Sequence, residues 1–76
     1  MEQEIYSVNV GGVHIEATQD MRIKLVVIGD VVNLTVPATA GNFAALLELK
    51  SGFYRVADRD AYCIGVYWRN IDEIAF

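Results

Sequence analysis

One cysteine, one proline, one histidine and six basic residues among 76 are the scarcities that first limit what this sequence encodes. Cys63 has no second thiol to pair with, so no intrachain disulfide staples the fold, and a lone thiol fits a reducing compartment. His14 stands alone as well, short of the three or four ligands a zinc site wants. No apolar run reaches the roughly 18–20 residues of a membrane-spanning helix, and the run after Arg22 and Lys24 is broken at Gly29-Asp30. The opening Met1-Glu2-Gln3-Glu4 is acidic, without the apolar stretch of a secretory leader, so the expected location is cytoplasmic and no membrane is expected as a partner. Ten acidic residues against six basic give a net charge of −4, and the basic ones are scattered. That sign is wrong for a phosphate backbone, which makes nucleic acid an unexpected partner.

Apolar side chains are what the chain has in excess, at 54% of residues. A domain of this length buries only about 60% of the surface its unfolded chain exposes. Part of the apolar content therefore faces solvent or a partner, and association is the expected route to added stability. Residues 1–76 read as a single domain without repeats or linkers.

Three hairpins and one helix account for most of the pattern. Gly11-Gly12 between two alternating segments is a two-residue turn signal, since both positions of a type I′ turn need positive φ. It pairs Val10 with Val13, Val8 with Ile15 and Tyr6 with Ala17 on an apolar face, leaving Asn9, His14 and Glu16 on a polar one. Gly29-Asp30 does the same for Arg22 through Val36. There Ile23, Leu25, Val27, Val32, Leu34 and Val36 share one face, and the other carries Val26, Ile28 and Val31 among polar residues. Phe43 to Lys50 has helical spacing, with Asn42 as N-cap and Gly52 as the stop, and Phe43, Leu46 and Leu47 are expected to meet the sheet.

A third hairpin runs from Phe53 to Trp68 around the Ala57–Asp60 loop, with Tyr62, Ile64, Val66 and Trp68 on one side, and Glu73–Phe76 forms a short last strand. Gly65 in mid-strand signals a bulge or a close approach. The predicted class is α+β: antiparallel hairpins in one sheet or a small, partly open barrel, with a single helix in the order β-β-β-β-α-β-β and that last strand.

Recognisable chemistry is sparse. No Walker-type or dinucleotide-binding glycine pattern and no nucleophile elbow occurs. His14 and Glu16 are the one couple with acid–base character, yet an ordinary solvated strand face explains them better. Cys63 lacks a neighbouring base or helix N-terminus to make a thiolate. Asp58, Asp60, Asp72 and Glu73 fall at turns, where turn chemistry accounts for them. The richest cluster is Tyr67-Trp68-Arg69-Asn70, because aromatic rings beside a guanidinium are the composition of protein–protein contacts. Alternation assigns Trp68 to the core and Tyr67 to the opposite side.

The run Gly65-Val66-Tyr67-Trp68-Arg69-Asn70-Ile71-Asp72-Glu73, with Gly29-Asp30 and Asn33-Leu34-Thr35-Val36-Pro37 upstream, resembles a family of small bacterial proteins known as a domain of unknown function. Its members commonly end Gly-Ile-His-Trp-Pro-x-Ile-Asp-Glu-Asp, and this sequence has Tyr67 for the His, Arg69 for the Pro and Ile74 for the final Asp. The resemblance implies a small β-rich domain with one helix and no established catalytic activity. Members often lie beside toxin–antitoxin components, which implies an antitoxin-like or regulatory role. Trp68 would then anchor the last strand, and Asp72 and Glu73 would organise the terminal turn or meet a basic partner.

The expectation is a non-enzymatic module without cofactor, metal or catalytic residues. Tyr67, Trp68, Arg69, Asp72 and Glu73 would bind a protein partner, and Val26, Ile28 and Val31 would carry self-association as a homo-oligomer. Two alternatives stand beside it: a phage-type acidic inhibitor of a host nucleic-acid-handling complex, and a small enzyme or ligand-binding domain using His14 and Glu16 at a subunit cleft.

Overall fold

A computed structural model describes residues 2–76 and gives an α+β fold of eight strands and one α-helix. In chain order these are β1 (Glu2–Ile5), β2 (Ser7–Val10), β3 (Val13–Glu16), β4 (Ile23–Ile28), β5 (Val31–Pro37), α1 (Ala40–Leu49), β6 (Phe53–Arg55), β7 (Ala61–Tyr67) and β8 (Ile71–Ala75). The strands form two antiparallel sheets, ordered β1-β4-β5-β7-β6 and β3-β2-β8, rather than one sheet or a barrel. The cause is a bend at Tyr6, where one extended segment leaves the first sheet and enters the second.

Both tight hairpins keep the register their turns predict. Val10 pairs with Val13 and Val8 with Ile15, around Gly11 and Gly12 at φ +55° and +82°. Ile28 pairs with Val31 and Leu25 with Leu34 across the second turn. Tyr6 does not join the apolar face: its ring lies outside with the Arg22 guanidinium 3.7 Å above it, and Ile5 is buried in its place. The added strand β1 pairs with β4, Ile5 against Ile23. The predicted last strand is longer than expected and lies beside β2, with Val8 opposite Ile74.

Thr39 caps α1, its side chain accepting from the Asn42 N–H, and Lys50 closes it in the left-handed region at φ +58°. The helix therefore starts before Asn42 and ends before Gly52, and its buried face is Asn42, Ala45 and Leu46 rather than Phe43, Leu46 and Leu47. Leu46, fully buried, contributes about 1.5–3 kcal/mol by leaving water. Phe43 rests instead in an aromatic triad, 5.8 Å from Phe53 and 5.7 Å from Tyr62 between ring centroids.

Asn42 is the buried polar residue of the core, and its side chain joins three backbone groups. Nδ2 donates to the carbonyls of Glu16 (2.9 Å) and Pro37 (3.0 Å), while Oδ1 accepts from the Glu16 N–H at 3.2 Å. It thereby docks α1 on β3. One hydrophobic cluster, with Ile5, Val8, Ile15, Ile23, Leu34, Leu46 and Ile64 among its members, fills the space between the sheets and the helix.

Candidate interaction surface

Cross-strand pairing assembles an exposed apolar row on the five-stranded sheet. Ile28 pairs with Val31 across β4 and β5, and Val31 pairs with Tyr67 across β5 and β7, so the three side chains form one row. Directly paired residues share a face, and this row lies opposite the core-facing row of Val32 and Val66. Ile28 is 64% exposed and Tyr67 52%, whereas Val26 and Val31 are half-buried among their neighbours. The Arg69 guanidinium sits 5.0 Å from the Tyr67 ring centroid, extending the row with a cation over its aromatic edge. Residues assigned from the sequence to two separate roles thus lie on one continuous face.

Gly65 borders that face without a bulge, since β7 pairs with β5 in unbroken register from Ala61 to Tyr67. A Cβ there would meet Val31 Cγ1 at 3.5 Å and Asn33 Oδ1 at 3.6 Å, which is ordinary contact. The glycine leaves a shallow hollow in the sheet surface.

Trp68 lies elsewhere. β7 ends at Tyr67, and Trp68–Asn70 form a 3-10 turn, which breaks the alternation that would have carried the indole into the core. It is 49% exposed and lines a hollow of about 110 Å³ with Val27, Ile74 and Phe76. Val27, expected in the core, is partly exposed because it sits near the turn of the β4–β5 hairpin, beside this hollow at the rim of the sheet.

Asp72 and Glu73 are engaged within the protein. Asp72 Oδ2 accepts from the Gly12 N–H at 3.0 Å, tying the β2–β3 turn to β8 at the point where the β2–β8 register shifts. Glu73 Oε1 accepts from Asn9 Nδ2 at 3.2 Å. Asn9 Oδ1 in turn lies 2.7 Å from His14 Nδ1, and His14 Nε2 lies 3.4 Å from Glu16 Oε2. This row crosses the exposed face of the three-stranded sheet, and neither His14 nor Glu16 lines the clefts described in this structure. Among the described residues no group of three or more His, Cys, Asp and Glu side chains is placed to hold a metal ion.

Cys63 is half-buried on the outer face of the five-stranded sheet, opposite Tyr54 on β6 and Thr35 on β5. A hydrogen-bonding interaction with Cys63, repulsion between its thiolate and the phenolate, and desolvation, in that order, raise Tyr54 above the ordinary phenol value of 10.0. Neither cross-strand partner of Cys63, Thr35 or Tyr54, is a histidine or carboxylate of the kind that activates a thiol nucleophile.

No helix of the described residues is long and apolar enough to cross a membrane. No family model matches the chain, and no curated protein and no solved structure is similar to it.

Proposed function

We propose that the protein is a non-enzymatic interaction module that self-associates through the outer face of its five-stranded sheet. The observation that carries this reading is the uncovered row Ile28, Val31 and Tyr67, in register across three strands with Arg69 at its end. Exposed apolar surface rimmed by polar groups marks contact sites. A standard interface takes about 800 Å² from each partner, and the molecule exposes 4805 Å² in all.

The aromatic and arginine content of Tyr67, Trp68 and Arg69 supports a second, protein partner. The net charge of −4 favours a basic one over nucleic acid. The resemblance at Trp68, Asp72 and Glu73 supports a regulatory, antitoxin-like role, and the single thiol supports a cytoplasmic location.

The test is the solution mass by size-exclusion chromatography with light scattering. A dimer or higher oligomer is expected, and Ile28→Glu should raise its dissociation constant tenfold or more, equivalent to at least about 1.4 kcal/mol. Trp68→Ala should leave the mass unchanged. A strictly monomeric protein at high concentration overturns the proposal.

A further inference from the structure

A cleft of about 660 Å³ opens where β7 outruns its neighbour β6. β7 pairs with β5 from Ala61 to Tyr67, but with β6 only at Tyr62, Cys63 and Ile64. Gly65, Val66 and Tyr67 therefore have a strand on one side and the cleft on the other. Successive strand residues turn their N–H groups to opposite sides. The Trp68 N–H donates to the Asp30 carbonyl at 2.9 Å, on the β5 side. The Tyr67 N–H is thus directed toward the cleft.

Facing this edge are Val10 and Val13 at the β2–β3 turn, and Leu49 and Glu48 in the last turn of α1. The wall mixes these aliphatic side chains with polar ones, Glu48, Ser51 and Asn70. Glu48 adds to the negative end of the helix dipole, that last turn contains no basic residue, and neither does the cleft lining. An open strand edge beside a hollow that mixes aliphatic and polar side chains, with Glu48 its one charged lining residue, matches one kind of ligand in hydrogen bonding, shape and charge together.

We propose that the cleft takes an extended peptide segment of a protein partner, added as a strand along Gly65–Tyr67. Aliphatic side chains of the segment would lie against Val10, Val13 and Leu49, with a lysine or arginine reaching Glu48. Main-chain bonds supply affinity in this mode, and alternate side chains supply selectivity. Val31 and Tyr67 belong both to the cleft lining and to the self-association row, so the two sites are separated by testing the cleft in protein whose self-association is weakened at Ile28, outside the cleft.

The probe is the peptide acetyl-Lys-Val-Thr-Val-Lys-amide, titrated into ¹⁵N-labelled Ile28→Glu protein so that self-association does not contribute. Shifts of the Gly65 and Tyr67 amides that saturate with a dissociation constant of roughly 0.1–1 mM are expected. The same peptide N-methylated throughout has no N–H to donate to the strand-edge carbonyls and sets methyl groups against them, so it should give no saturable shift. Replacing both lysines by glutamate should weaken binding, and Glu48→Lys should weaken the lysine peptide about two- to fivefold, the worth of one exposed ion pair.

In the protein, Tyr67 already has φ −77°, a value proline adopts, so Tyr67→Pro deletes the outward N–H without forcing the backbone. It should abolish binding, while Tyr67→Ala, which keeps the N–H but trims a side chain of the cleft lining, should retain saturable binding. Absence of shifts at these amides up to about 5 mM peptide, equal binding by the N-methylated peptide, or equal binding by the proline and alanine variants overturns the proposal. Gly65 and Tyr67 shifts that follow protein concentration without peptide would assign the edge to a second copy and overturn it too. If the proline variant fails to fold, the N-methylated peptide still decides.

Discussion

Asn42 shows how much a single side chain decides in a domain this small. Its carboxamide serves the N–H and carbonyl of Glu16 and the carbonyl of Pro37, three groups from two segments flanking the helix. Buried side-chain nitrogen and oxygen atoms without a partner are absent among the described residues, and Asn42 is part of the reason. Asn42→Ala leaves these backbone groups short of partners in a region closed to water, an expected loss of about 1–3 kcal/mol in urea unfolding. Asn42→Asp keeps the acceptor for the Glu16 N–H but sets a carboxylate against two carbonyls, so it should not rescue. This role was illegible in the sequence. An asparagine ahead of an apolar helical run has the look of an N-cap, and Thr39, three residues earlier, does the capping. Local and tertiary uses of the same amide leave the same residue type in the chain.

Elements were legible where short turns fix geometry and illegible where distant segments compete. Gly11-Gly12 and Gly29-Asp30 are two-residue connections, so the registers of β2–β3 and β4–β5 followed from counting. The helix could be recognised but not its rotation. Phe43 and Leu47 are as apolar as Ala45 and Leu46, and only docking through Asn42 selects which stripe faces inward. The C-terminus of α1 shows a correctable flaw, because Lys50 holds a left-handed conformation that costs an ordinary L-residue about 1 kcal/mol or more. Lys50→Gly removes that strain while loosening the unfolded chain. The expected net gain is about 0.5 kcal/mol, measurable as a rise in Tm of about 2–4 °C. At the other end of the chain, Trp68 was assigned to the core by extending the beat of β7 one residue too far. The 3-10 turn that stops the beat is set by long-range bonds, from Trp68 N–H to Asp30 and from Gly11 N–H to Asn70.

For the molecule as a whole, the α+β class and the single helix were readable, and the division into two sheets was not. Sheet order depends on β1 finding β4 and β8 finding β2, pairings with no local signature. β8 matters more than its five residues suggest. It completes the three-stranded sheet and brings Ile71 and Ile74 against the core, and a two-stranded hairpin left alone is only marginally stable. A chain ending at Asn70 is therefore expected to lose its cooperative thermal transition by circular dichroism, and near-ultraviolet signals from fixed aromatic packing should vanish with it. The candidate surface was half readable. Val26, Ile28 and Val31 stood out as apolar residues on the wrong face, but their continuity with Tyr67 and Arg69 required the β5–β7 pairing.

The bend at Tyr6 carries a further consequence, best put as a matter of phase. Core-facing positions run Ile5 opposite Ile23, then Val8 and Val10 opposite Ile15 and Val13. The two-residue beat takes one additional step between Ile5 and Val8, and that step lets a single extended segment show its apolar side to the same interior from two layers. Turns at the rim can change length without disturbing this count. One residue more or fewer between Ile5 and Val8 would turn one sheet inside out relative to the other, so the spacing there is a counted quantity, specified by number as much as by residue type.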